Sequence, residues 1–112
     1  MNPRQFSYIR ITTMSTADSR AAAQTRINDL ITIVTAQPAG DARTSLLEEC
    51  QALARAVAAF HMEGIRFRTY NVDRLLHKGG LTLPETAGEA FADVRRHLEA
   101  AGFHTRSHQS PV

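Results

Sequence analysis

A long run without proline, residues 45–78, constrains the fold of this chain more than any other feature. It opens with "SLLE" at 45–48, a capping box in which a serine and a glutamate satisfy the first backbone N–H groups of a helix. Gly79 and Gly80 follow it, as glycines commonly follow a helix end. The run predicts one central helix over about residues 45–78, with Asp41 as an alternative start and a length of about 50 Å.

Gly64 is the weak point of this run, because glycine costs about 1 kcal/mol relative to alanine inside a helix. The pattern favours a continuous helix. A bend at Gly64 is the alternative, and it would give a compact monomeric four-helix bundle.

Two shorter helices flank the central one. The first is predicted from about Thr16 to Gln37, because Ser15 and Thr16 favour a helix start and Pro38 follows. Its apolar residues recur at helical spacing: Ala23, Ile27, Leu30, Ile31 and Val34. The third follows Thr82, an expected cap, and carries the stripe Ala87, Phe91, Val94, Leu98 and Ala101 before Gly102. The predicted fold class is all-α, a three-helix chain that forms a helical-bundle homodimer.

The 112 residues predict a single helical domain over residues 15–102. Residues 1–14 are predicted to be a flexible arm and residues 103–112 a flexible tail. A short strand is the alternative for the arm, whose apolar residues partly alternate. Both Met1 and Met14 are possible starts, because the helical pattern begins just after Met14.

The apolar residues of the central run cover about half of its helical surface, more than one core requires. Each half of a continuous helix would have one neighbour from the same chain, so part of this arc would stay uncovered. Uncovered apolar area usually marks an interface. The sequence therefore predicts a homodimer, with Leu53, Val57, Phe60 and Phe67 at the interface.

Polar residues interrupt this apolar arc at His61, Arg68 and Asn71. A buried arginine is costly unless it is paired, and the apolar stripes of the flanking helices carry no carboxylate. One hypothesis is a small pocket for an anionic ligand, built from these three residues. The favoured interpretation is a satisfied polar layer or an arginine that extends to solvent. Cys50, on the same arc, is expected to pack as a small apolar residue.

No catalytic residue, cofactor or metal site is predicted. Asp73 with His77 and Asp93 with His97 share the i, i+4 spacing of paired metal ligands, but such pairs are commonly weak helix-surface contacts. No Glu-x-x-His motif of the di-iron bundles occurs.

The net charge of +2 is spread along the chain without a basic block, so nucleic-acid binding is not expected. It would require Arg66, Arg74 and Lys78 to share one uninterrupted surface. A single cysteine favours a reducing compartment, and neither a signal peptide nor a membrane span is apparent. The sequence predicts a soluble, cytoplasmic protein.

These observations favour a non-enzymatic small helical protein that acts through self-association and contacts with an unidentified protein partner. The alternative is a helical bundle that binds, or acts on, a small anionic ligand through His61, Arg68 and Asn71.

Overall fold

The computed structural model describes residues 15–103 and residue 105. This part of the chain is all-α: α1 (Thr16–Thr35), α2 (Asp41–Ala58), α3 (Met62–Lys78) and α4 (Glu85–Ala100), with no strand among the described residues. The predicted all-α class is therefore confirmed. None of the described helices is both long enough and apolar enough to cross a membrane. The arm predicted over residues 1–14 and most of the predicted tail lie outside the described residues.

The predicted central helix is in fact two helices, α2 and α3, so the prediction of three helices was wrong. Between them Phe60 adopts a φ of 58°, in the left-handed region. Its N–H donates to the carbonyl of Val57 at 3.2 Å, and the N–H of His61 donates to that of Ala56 at 3.0 Å. These two bonds form a Schellman helix end. Glycine is the usual residue at this position, so a phenylalanine gives no sign in the sequence that the helix ends here.

Gly64 is not the site of the break but lies in the first turn of α3. His61 caps this helix, because its Nδ1 accepts a hydrogen bond from the N–H of Gly64 at 2.8 Å. A Cβ at position 64 would lie 2.6 Å from that nitrogen and 3.3 Å from the Cβ of Ala56. The glycine thus lets α3 begin close against α2 with its cap in place.

The described helices form a bundle in which α1 packs against α2 and α4, and α2 packs against α3. Gln24 Nε2 donates to the carbonyl of Ala54 at 3.1 Å between α1 and α2. Arg26 Nε donates to Asp93 Oδ2 at 3.0 Å between α1 and α4. By contrast, α3 and α4 touch at few points. Three seams between neighbouring helices are therefore closed, and the α3–α4 seam is open.

One apolar core joins all of these helices. Its most completely buried large side chains are Ile27, Leu30, Leu46, Leu53, Ile65 and Leu98. Burying an aliphatic side chain of this size contributes about 1.5–3 kcal/mol. Most of the apolar arc of residues 45–78 is covered within the chain, because its two halves fold against each other, but Phe60 and Phe67 remain exposed. Leu53 and Val57, predicted at the interface, are 1% and 0% exposed and therefore leave no surface for a partner.

The helix starts follow the sequence signals only in part. Ser15 caps α1 as predicted, because its Oγ accepts a first-turn N–H at 3.0 Å. α2 begins at Asp41, the alternative start, which places the capping box of Ser45 inside the helix. α4 begins at Glu85, so Thr82 lies outside its first turn and does not cap it.

Packed structure continues past Gly102, where the sequence places the end of the domain. Gly102 has a φ of 96°, and the N–H of Phe103 donates to the carbonyl of Leu98 at 2.9 Å. Phe103 is buried, and the hydroxyl of Thr105 donates to Glu99 Oε2 at 2.9 Å. Phe103 and Thr105 therefore belong to the packed unit rather than to a free tail.

Candidate functional site

A carboxylate on α2 binds two of the three polar residues that interrupt the predicted apolar arc. Arg68 Nη1 donates to both carboxylate oxygens of Glu49, at 3.0 and 3.2 Å, and Asn71 Nδ2 donates to its Oε1 at 3.2 Å. The Arg68 and Glu49 side chains are 36% and 21% exposed. Two of the three predicted ligand residues therefore converge, and they converge on a carboxylate of the same chain.

Glu49 was missed at the level of sequence because the predicted helix was continuous. It precedes Arg68 by 19 residues, which is about 28 Å along an unbroken helix. The turn at Phe60 folds α3 back along α2 and brings the two side chains together. The position of Glu49 beside the apolar stripe of α2 is typical of an interhelical ion pair, but its partner depends on where the helix breaks.

His61, the third predicted ligand residue, has a different role. Its ring caps α3, and in the described structure no hydrogen bond joins it to Arg68 or Asn71. A histidine whose Nδ1 accepts a helix N–H is in the tautomer with the proton on Nε2. The structure therefore assigns this side chain to the start of a helix.

Cys50 packs in the core as expected, with 0% of its surface exposed. Burial raises the pKa of its thiol to about 12, with a smaller contribution from the nearby charge of Glu49. The thiolate is the reactive form of cysteine, so this thiol is chemically protected in the folded chain.

One of the two aspartate–histidine pairs is in contact, and the other is not. Asp73 Oδ1 lies 3.4 Å from Nδ1 of His77, whereas Asp93 binds Arg96 at 2.7 Å and Arg26 at 3.0 Å. The hydrogen bond from Arg96 is the main cause that lowers the pKa of Asp93. Among residues 15–103 and 105, no group of three or more His, Cys, Asp or Glu side chains is arranged to hold a metal ion.

Three large apolar side chains are exposed on the described surface: Phe60 (61%), Phe67 (56%) and Tyr70 (46%). The guanidinium of Arg20 lies 3.9 Å above the Phe60 ring, and the Phe103 ring is 6.5 Å from it. Phe60 is therefore partly engaged within the chain. Phe67 and Tyr70 lie three residues apart on α3, a spacing that places both on one side of the helix.

Basic side chains surround these two rings. We call Arg66, Phe67, Tyr70, Arg74 and Lys78 the outer face of α3. Arg66 Nη1 contacts Glu63 Oε2 at 3.3 Å, while Arg74 and Lys78 make no ion pair within the described structure. The three cations that nucleic-acid binding would require thus share one side of α3. Acidic residues interrupt that side at Glu63 and Asp73, so the surface is mixed rather than continuously basic.

An open groove of about 460 Å³ lies along the α3–α4 seam. Its apolar walls are formed by Leu76, Leu83, Pro84, Ala87, Phe91 and Ala92. Asp73 and His77 line it from α3, and Arg95 lines it from α4, with 3.7 Å between Arg95 Nη1 and Asp73 Oδ1. This groove was not predicted from the sequence, because it exists only where two helices that are neighbours in sequence fail to close against each other.

A second depression of about 260 Å³ continues from the groove onto the outer face of α3. It is lined by Tyr70, Arg74 and Lys78, and it shares Asp73 and His77 with the groove. The exposed tyrosine, the basic side chains and the apolar groove therefore form one continuous surface.

These features define an all-α helical bundle with one open seam. No family model matches this chain, and neither a curated protein nor a solved structure matches it.

Proposed function

We propose that this chain is a non-enzymatic helical protein that acts through self-association and contacts with other proteins. The observation that carries the proposal is the pair of exposed rings on α3, Phe67 and Tyr70. Aromatic side chains are enriched at protein interfaces and supply much of their binding energy. A partner that covered these two rings would remove their apolar area from water, and this burial would favour association.

The surface that supports self-association differs from the surface that the sequence predicted. The fold-back of α3 on α2 covers most of the wide apolar arc of residues 45–78, including Leu53 and Val57. Two of the predicted interface residues remain exposed: Phe60, in the α2–α3 turn, and Phe67, on the outer face of α3.

An anionic ligand held by His61, Arg68 and Asn71 is less well supported. Glu49 already accepts hydrogen bonds from Arg68 and Asn71, and an added anion would meet the repulsion of that carboxylate. The ring of His61 serves as a helix cap.

A cytoplasmic location belongs to the same proposal. Cys50 is reduced and buried, which agrees with a compartment in which thiols persist.

Sedimentation velocity from low to high micromolar concentration tests the proposal. We expect the wild type to form a dimer or larger species and the double variant Phe67→Gln/Tyr70→Gln to remain a monomer with an unchanged helical spectrum. Ala21→Gln, at an exposed position of α1, is the matched control and should associate like the wild type. A wild type that stays monomeric over the whole range would contradict self-association.

A further inference from the structure

We propose that α3 pairs antiparallel with α3 of a second copy of this chain, an inference that rests on the proposed function and specifies which residues of the two copies meet. α3 lies at an edge of the bundle, because it packs closely against α2 and touches α4 at few points. Ile65, Thr69 and Val72 are completely buried and face the core. The opposite side of α3 is therefore directed to solvent, and this side is the contact surface.

Four exposed residues follow one another along that side of α3, at intervals of four, three and four. We call Glu63, Phe67, Tyr70 and Arg74 the outward row of α3. Two helices that pack along a common seam, as in a coiled coil, use this spacing. At 100° per residue the four positions fall within an arc of about 60°, centred about 160° from the buried residues. The row is thus a straight, outward strip on which a second helix can lie.

The outward row carries opposite charges at its two ends. It begins with the carboxylate of Glu63 and ends with the guanidinium of Arg74, and the two rings lie between them. The side chain of Glu63 is 78% exposed and contacts Arg66 at 3.3 Å, whereas Arg74 makes no ion pair within the described structure. A row that is acidic at one end and basic at the other attracts a second copy when the two rows run in opposite directions.

The spacing of the row also fixes the register of the pair. The midpoint between Phe67 and Tyr70 is the midpoint between Glu63 and Arg74 as well. A twofold axis perpendicular to α3 at this point places Phe67 against the partner's Tyr70. The same axis places Glu63 against the partner's Arg74. Because a twofold axis makes every contact reciprocal, two aromatic contacts at the centre are flanked by two ion pairs.

A second copy fits this row better than a nucleic acid does. Phosphates would be attracted by Arg66 and Arg74 but repelled by Glu63 in the same strip. Asp73, the sequence neighbour of Arg74, lies on the α4 side, where its Oδ1 is 3.7 Å from Arg95 Nη1. The antiparallel pair neutralises both ends of the row at once, and it covers both rings.

An exchange of charge between the two ends of the row tests the pairing. The single variants are Glu63→Arg and Arg74→Glu. In each of them like charges meet at both ion pairs, so the dimer dissociation constant should rise at least about tenfold at low ionic strength. The double variant Glu63→Arg/Arg74→Glu brings opposite charges together again, so it should recover the affinity of the wild type.

An equal mixture of the two single variants gives a second, independent readout. One copy then contributes two cations and the other contributes two carboxylates, so the mixture should form a heterodimer while each variant alone dimerises weakly. Recovery in the mixture also shows that both single variants are folded. Sedimentation velocity and native mass spectrometry provide the measurements.

Glu48→Arg and Arg55→Glu are the matched controls, because they make the same charge changes at exposed positions of α2. Both should dimerise like the wild type. The antiparallel pairing is overturned if either single variant of the row keeps the wild-type dissociation constant, or if the double variant and the mixture both fail to recover association.

The outcomes separate the antiparallel pairing from the proposed function. A wild-type dimer that is lost in Phe67→Gln/Tyr70→Gln but keeps its affinity in both charge variants overturns the register and leaves self-association intact. A wild type that is monomeric at high micromolar concentration and low salt overturns both, and leaves the outward row to a different protein.

Discussion

Glu49 on α2 holds Arg68 on α3 by two hydrogen bonds, at 3.0 and 3.2 Å, across the hairpin that replaces the predicted long helix. The arginine that seemed to need a ligand or a second chain is thus neutralised within its own fold. Because both side chains are partly exposed, solvent screens the pair, and its contribution is modest.

A double-mutant cycle measures this pair. Glu49→Gln, Arg68→Met and the double variant should give a coupling energy of about 0.5–1 kcal/mol in urea unfolding. Phosphate and sulfate should raise the melting temperature of the wild type and of Arg68→Met equally, because Glu49 occupies the guanidinium. A larger anion effect in the wild type would favour the ligand-binding alternative.

Phe60 has a left-handed backbone conformation in the α2–α3 turn. Two substitutions of similar helix propensity should therefore change the stability of the protein unequally at this position. Valine and asparagine are nearly equivalent inside a helix, but asparagine tolerates a positive φ and valine does not. At the φ of 58° of Phe60, Phe60→Val should therefore be less stable than Phe60→Asn by about 1–2 kcal/mol. Equal stability in chemical denaturation would indicate a continuous helix at this position.

Two helical glycines should respond to alanine with opposite signs. Gly64→Ala should destabilise the protein, because its Cβ would lie 2.6 Å from Nδ1 of His61 and displace the cap of α3. Gly88→Ala should stabilise it by about 0.5–1 kcal/mol, because a Cβ there has no atom within 4 Å and alanine favours the helix. Thermal melts at low protein concentration make the comparison. A gain in stability in both variants would show that Gly64 is not required by packing.

The hydroxyl of Thr69 offers a stabilising change. Thr69 is 0% exposed, and its Oγ1 has no hydrogen-bond partner in the described structure. An unsatisfied buried polar group costs about 1–3 kcal/mol. Thr69→Val keeps the shape and removes the hydroxyl, so the free energy of unfolding should rise by about 1 kcal/mol. A loss of stability would reveal a partner for the hydroxyl.

Asp93 should make stability depend on pH in the acid range. Its pKa is lowered from 3.8, chiefly by the hydrogen bond from Arg96. The ionised carboxylate therefore contributes stability above about pH 3.8, and this contribution is lost as the pH falls through the lower folded-state pKa. The melting temperature of Asp93→Asn should fall less steeply over this window than that of the wild type. Glu48→Gln, which removes an exposed carboxylate without an ion pair, should follow the wild type.

Patterns among residues that are close in sequence predicted the buried side of α1 and the end of α4. The helical spacing of Ile27, Leu30 and Val34 identified the buried side of α1, and Gly102 marked the end of α4. The break at Phe60 carried no such signal. A bulky residue there takes a conformation that glycine normally supplies, and it is held by contacts with Arg20 and Phe103, which are distant in sequence.

The sequence by itself determined the all-α class, most of the apolar faces, the start of α1 and the ends of α3 and α4, because these follow from periodicity and capping within a few neighbouring residues. It also identified Arg68 and Asn71 as polar residues that need a partner. Only the tertiary structure decided what that partner is, since the reversal of the chain at Phe60 brings Glu49 within hydrogen-bonding distance of both. The same reversal buried Leu53 and Val57, and the failure of α3 to close on α4 left the groove beside Tyr70. These features depend on which helix faces meet in space, and periodicity along the chain does not encode that.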